Sequence, residues 1–221
     1  AGICVTLPSL SLADPRRLKK DLFMFASIQK SCSATLALTT SSYNYAKKMA
    51  DIQSIFSSDA MSWPQIQWAV VDTLLASAPR AAAALSSIDD VDSVAFLQFT
   101  SGSTSAPKGV IISHANLAHN LSLIVRELRA STDTVVVSWL PQYHDMGLIA
   151  KFLTPSASGA SVIAMAPLTF IQNPVIWLDS LSKFKGTATG APNFAFILCI
   201  KKVPENTLKA KELKPLISAL H

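Results

Sequence analysis

Residues 99 to 110 read FTSGSTSAPKGV and place five hydroxyl side chains, Thr100, Ser101, Ser103, Thr104 and Ser105, within a few residues of the cation Lys108. Gly102 lies among them and tolerates the left-handed backbone that wrapping an anion demands. Backbone N–H groups, hydroxyls and an ammonium would together hold phosphate, because charge-assisted hydrogen bonds are roughly twice as strong as neutral ones. The ligand implied is a nucleotide, bound by Thr100, Ser101, Gly102, Ser103, Thr104, Lys108 and Gly109. The loop is not of the Walker A type, since Pro107 stands before the lysine and Gly109 after it. A polar Ser/Thr/Gly stretch can also be a solvated linker. Here the flanks SVAFLQF (Ser93 to Phe99) and VIIS (Val110 to Ser113) read as strands and argue against that.

Two more segments could carry chemistry. His144 and Asp145 follow the β-type run TVVVSWL, in which Val135, Val137 and Trp139 face one way and Val136, Ser138 and Leu140 the other. They therefore stand at a strand's C-terminal end, where ligands of open α/β sheets bind. An isolated histidine in a loop is commonly satisfied by local hydrogen bonds, and an Asp before Met-Gly could equally cap a helix beginning near Met146. The second segment, GAPNFAF, follows the short run GTAT and starts a helix, with Pro192 suited to its first turn. Gly190 there would let a ligand approach the backbone. Phe194 and Phe196 stand at helical spacing with Ile197, Leu198 and Ile200, so core packing is an equal explanation for them.

Taken together these motifs resemble the adenylate-forming superfamily of acyl-CoA synthetases, luciferases, peptide-synthetase adenylation domains and fatty acyl-AMP ligases. FTSGSTSAPKGV resembles its phosphate-binding signature, with Ser105 where many members carry Gly. SWLPQYHDMGLIA (Ser138 to Ala150) is similar to the WLPxYHDMGLI segment of fatty acyl-AMP ligases, and SHANLAHN (Ser113 to Asn120) follows the phosphate loop as in that group. GAPNFAFILC (Gly190 to Cys199) resembles its GGPNFAYxLC segment, with Ala191 replacing the second Gly. The likeness is densest from Asp92 to Lys202 and weak before Ala81.

The resemblance implies a fatty-acid carboxylate attacking the α-phosphorus of ATP, with release of pyrophosphate and Mg²⁺ as companion. The acyl-AMP then passes to the phosphopantetheine thiol of an acyl carrier protein. It implies Lys108 and His144 as catalytic residues, with His144 facing the carboxylate and phosphates. Asp145, Gly190, Ala191, Pro192, Asn193 and Phe196 would lie beside the adenylate and acyl group, Phe194 being a further candidate. Transfer to CoA, and a non-catalytic sensor of acyl groups or nucleotides, are the alternatives. Compared with that family, the segments for adenine, ribose and Mg²⁺ and the mobile C-terminal domain are expected outside this chain, which is then expected to be inactive and poorly soluble alone. No metal site is expected within it.

The elements that must position these residues follow from periodicity. Arg16 to Ser31 carries Leu18, Leu22, Phe25 and Ile28 on one helical stripe, TLALTT is a strand, Tyr43 to Phe56 a helix and QWAVVD a strand. Ala76 to Asp92 is a connector. Beyond the phosphate loop the pattern predicts helix 116–129, strand 134–140, helix 147–152, strand 161–165, helix 174–184, then a last strand and helix. Alternating elements predict an α/β fold with a largely parallel sheet, a partial N-terminal domain of the superfamily. The motifs divide it into an incomplete first subdomain, residues 1–91, and a subdomain at 92–221.

Half of the residues are hydrophobic and 15% are charged, apolar against the usual quarter charged, which suggests a large or shared core. No apolar run reaches the roughly 18 residues of a membrane span and no signal segment opens the chain, so the expected compartment is the cytoplasm. Cys4, Cys32 and Cys199 lack metal or redox spacing and read as buried, reduced thiols. The net charge of +5 comes mainly from RRLKK (Arg16 to Lys20) and a Lys-rich tail. Without interleaved aromatics these are solvated helix faces and not a nucleic-acid site. The tail, with Lys209, Lys211 and Lys214, could steer an acidic carrier protein.

Overall fold

Leu18, Leu22, Phe25 and Ile28 recur every three or four residues, the spacing that turns one helix face to a core. The computed structural model, which describes residues 4–5, 15–55, 63–73, 90–99, 107–205 and 217–218, forms that helix as α1, Pro15–Cys32, with all four side chains buried. The chain makes two compact units, residues 1–112 and 113–221.

In the first unit, β2 (Leu36–Thr39) pairs in parallel with β3 (Gln67–Val70), Leu36 opposite Gln67 and Thr39 opposite Val70. Phe25 of α1 sets its ring edge against Trp68 at 5.7 Å, and Trp63 packs with Leu18, Leu22 and Ala50. Helix α2, Ser41–Ile55, begins two residues before the sequence expectation. The cause is Asp72, whose two carboxylate oxygens accept the Ser41 N–H at 2.9 and 3.0 Å and so satisfy an otherwise orphaned donor. Lys47 of α2 lies over the rings of Trp63 and Trp68, 4.8 and 5.4 Å from their centroids.

A separate three-stranded sheet in this unit has the order β1 (Cys4–Val5), β4 (Val94–Phe99), β5 (Gly109–Ser113), β1 and β4 being parallel. The strands flanking the Ser/Thr loop thus belong to one sheet. Because β4 pairs with β1, both strands group with the earlier chain, whereas the motif-based division at 91/92 sets them with the later one. Of the expected connector, residues 76–89 lie outside the described residues, as does the Lys-rich stretch around Lys209, Lys211 and Lys214.

The second unit opens with α3, His114–Glu127, earlier than the expected 116 because Ser113 and Asn116 cap each other's backbone N–H groups at 3.1 Å. Its sheet has the order β7 (Ser161–Ala164), β6 (Val135–Ser138), β8 (Ala188–Thr189), β9 (Ile217–Ser218), every neighbouring pair parallel. One face of β6 makes the core, with Val137 and Trp139 against Phe170, Trp177, Leu181, Ala195 and Cys199. Trp139 stacks on Phe170 with centroids 4.2 Å apart, and Trp177 meets both rings edge-on.

Three elements differ from expectation. A short helix, α5 (Pro167–Gln172), was not anticipated; Pro167 starts it and Phe170 fills the core. The helix expected at 147–152 is a π-helix, Met146–Leu153, running on into α4, Thr154–Ser158. Pro155 inside this continuous run has no N–H for the Lys151 carbonyl, and wider winding upstream is how a helix accommodates such a ring. The run stops at Gly159 with φ +73°. Helix α6 is Val175–Lys183, and α7, Asn193–Lys202, starts after Pro192, which is the extended residue before the helix and not in its first turn.

Candidate active site

The strands β6 and β8 are parallel neighbours, Val136 opposite Ala188, so their C-terminal ends lie side by side. His144 and Asp145 follow the first of these ends and Gly190 to Asn193 the second. Both segments therefore border one edge of the sheet, the edge where a ligand's polar groups find loop backbone and helix N-termini.

The turn Pro141–His144 is tied to the π-helix. The Pro141 carbonyl accepts the His144 N–H at 3.2 Å, and the His144 carbonyl accepts the Leu148 N–H at 2.8 Å. Gly147 is required here, because a Cβ on it would collide with the Pro141 carbonyl oxygen. Asp145 caps the π-helix by accepting the Met146 N–H at 2.6 Å, and His144 Nδ1 faces its carboxylate. The Met146 N–H also stands 3.4 Å from Nδ1, but the shorter contact makes Asp145 its acceptor. Asp145 thus both caps the helix and orients the imidazole. With side chains 60% and 57% exposed, the pair is open to a ligand.

At the second segment Ala191 is buried, Gly190 half-buried and Asn193 exposed. Phe194 and Phe196 are each about half exposed, with rings 5.8 Å from Trp139 and 5.6 Å from Trp177. Each rests one side on the core and leaves the other uncovered. On the opposite face of β6 a cavity of about 40 Å³ lies between Val136 and Ser138 of the strand, Leu140 and Gly190 just beyond the ends of β6 and β8, and Ala150 and Thr154 of the helical run. It is walled chiefly by apolar groups. Thr154 Oγ1 is buried beside it without a hydrogen-bond partner.

Thr100, Ser101, Gly102, Ser103 and Thr104 lie outside the described residues. Lys108 and Gly109 belong to the first unit; Pro107 is buried and Lys108 exposed where β5 begins. The Phe99 ring lies 2.9 Å from the position a Cβ on Gly109 would take, so the two ends of the loop pack directly on each other.

Sequence reasoning passed over Lys151. It is 3% exposed, its ammonium donates to the Leu140 carbonyl at 3.1 Å, and burial pushes that ammonium below the usual lysine range. The signal was available: one charge interrupts the apolar run MGLIAKFL. Burial likewise raises the Cys199 thiol above its ordinary value, and Cys32 is half-buried, both thiols being free. Among the described residues no three His, Cys, Asp or Glu side chains cluster as a metal site, and no helix is long and apolar enough to cross a membrane.

Polar loops at the carboxyl edge of a parallel α/β sheet lie where such sheets bind ligands, and the comparisons with known proteins show the family. The chain belongs to the AMP-binding enzyme family, whose model matches residues 24–220. It is 36% identical over 218 residues to the medium-chain-fatty-acid–[acyl-carrier-protein] ligase TtuA of Teredinibacter turnerae, covering 86% of this chain and 34% of that protein. It is 33% identical over 191 residues to JamA of Moorena producens, a ligase of the same description, covering 86% and 31%. Among solved structures it resembles a fatty acyl-adenylate ligase from L. pneumophila in complex with acyl adenylate and pyrophosphate, with TM-score 0.69 and 32% identity over 88% of this chain and 32% of that one. The chain spans about a third of the length of the curated relatives it matches.

Proposed function

We propose that the protein carrying this chain activates a fatty acid with ATP, forming acyl-AMP and pyrophosphate, and passes the acyl group to an acyl carrier protein. The observation that carries this is the pairing at the sheet edge: the His144–Asp145 turn after β6 beside the Gly190–Asn193 segment after β8, in a chain similar to acyl-carrier-protein ligases.

The reaction brings a carboxylate to an α-phosphorus, two anions that repel until positive groups and N–H donors lie between them. Lys108 and the hydroxyl loop Thr100 to Thr104 would hold the phosphates. His144, with Nδ1 turned to Asp145, would present its other nitrogen to the carboxylate or the α-phosphate, with Asp145 fixing the orientation of the ring. Gly190 and Ala191 would let the adenylate lie against backbone, and Pro192, Asn193 and Phe196 would border the acyl group. Mg²⁺ would arrive with ATP and neutralise the leaving pyrophosphate. In this reading residues 92–221 work as one functional subdomain, following a partial one at 1–91. The setting is the cytoplasm, where ATP and free thiols such as Cys199 coexist.

Incubation of the complete protein with ATP and fatty acids of increasing length, followed by mass spectrometry, tests the proposal. Acyl-AMP, then an acylated holo carrier protein in preference to acyl-CoA, is the expected product series. Acyl-CoA as the preferred product would shift the acceptor to CoA. Nucleotide binding with no acyl-AMP at any chain length would leave a binding protein and not a ligase.

A further inference from the structure

Lys151 is the chemical outlier of the second unit, a charged side chain buried within an apolar π-helix. Its ammonium has the Leu140 carbonyl at 3.1 Å and the Phe152 ring at 5.1 Å, and among the described residues no carboxylate forms an ion pair with it. Burying a charge without a counter-ion is costly, and Leu or Met would serve packing better at this position. Its one strong contact therefore indicates what the residue does.

That contact falls where the chain leaves β6 for the His144 turn. The next carbonyl, that of Pro141, accepts the His144 N–H and fills the space over Gly147. Two consecutive carbonyls thus lie against the same helix, that of Leu140 held by the Lys151 ammonium and that of Pro141 seated over Gly147, where a side chain would displace it. Leu148, next to Gly147, holds the His144 carbonyl. The helix fixes the turn from both ends, and Lys151 supplies the only side-chain donor among these described contacts.

We infer that Lys151 is a positioning residue for His144: by holding the Leu140 carbonyl it fixes the start of the Pro141–His144 turn and so the place of the imidazole. The inference rests on the role given to His144 above, and the test separates the two. In the complete protein with selectively labelled histidine, the NMR signal of His144 is identified by its loss in His144→Ala and compared between wild type and Lys151→Met. Fatty-acid-dependent exchange of pyrophosphate into ATP is measured for wild type, each variant and the double variant. Lys151→Met is expected to move the His144 signal, lower kcat about ten- to a hundredfold, as small misplacements do, and leave the KM for ATP unchanged. In the His144→Ala background it is expected to cost nothing further. Where Lys151→Met does not fold, Lys151→Leu takes its place in the cycle.

An unmoved His144 signal, or losses that multiply in the double variant, would overturn the inference while leaving the proposed reaction intact. A moved signal with full exchange in His144→Ala would uphold the positioning and remove His144 from the chemistry.

Discussion

Thr189 donates its hydroxyl to the Val137 carbonyl at 2.6 Å and accepts the Trp177 indole N–H at 3.1 Å, all three groups buried. One side chain thereby ties β8 to β6 and to α6, immediately before Gly190. Thr189→Val keeps the shape and strands a buried indole N–H and a carbonyl. The expected loss is about 1–3 kcal/mol per orphaned group, read as a lower urea midpoint with an unchanged slope; an unchanged midpoint would show that the network is not under tension from burial.

Gly147 offers a sharper steric test. A methyl there meets backbone, the Pro141 carbonyl, and not a side chain that could swing away. Gly147→Ala is therefore expected to displace the His144 turn and to lower both thermal stability and adenylate formation in the complete protein. A variant with wild-type melting and activity would mean that the turn is not clamped as described. Gly109→Ala is expected to be milder, since the obstacle is the Phe99 ring.

The carboxylate of Asp72 is held below its ordinary value of 3.8, first by the Ser41 side-chain hydrogen bond and then by the Ser41 backbone N–H. A depressed folded-state value means stability that is present above about pH 3.8 and is lost as pH falls through the folded value. Asp72→Asn is expected to be less stable than wild type at neutral pH, the gap closing in acid. Parallel melting curves from pH 7 to 3 check this, and a gap independent of pH would assign the cap to geometry alone.

Lys151 carries the opposite sign. Its folded-state value lies below 10.5 because of burial, so the unfolded chain binds more protons between the two values and stability rises with pH across that window. Relative to Lys151→Met, the wild type is expected to gain stability as pH approaches 10.5. Comparing the two proteins cancels the alkaline loss from Cys199, which is common to both. A difference that stays constant from pH 7 up through 10.5 would contradict a buried, destabilised ammonium.

Much of this architecture was legible because periodicity is a local signal. The Leu18, Leu22, Phe25, Ile28 stripe is buried as one helix face, and the Val135 to Leu140 run does contain the expected strand, although Ser138 and Leu140 are buried along with Val137 and Trp139. What was not legible depends on partners distant in sequence. The start of α2 is set by Asp72, 31 residues away, and the short helix Pro167–Gln172 is fixed by Phe170 seeking Trp139. The π-winding at Met146–Leu153 reflects Pro155 inside a helix that the pattern ended at 152. For the site, the motifs located the segments and their elements. They did not reveal that Asp145 serves the cap and His144 together, nor that Lys151 reaches back to Leu140.

The central proposal is acyl-adenylate formation, with separate roles proposed for Lys108 and for His144. Fatty-acid-dependent exchange of labelled pyrophosphate into ATP by the complete protein tests it most directly, comparing wild type with Lys108→Ala and His144→Ala. The account predicts exchange in the wild type and its loss by about a hundredfold or more in each variant, the usual cost of removing one group that stabilises developing charge. Exchange that persists at wild-type rates in both variants, or is absent from a folded, ATP-binding wild type at every chain length, would contradict it.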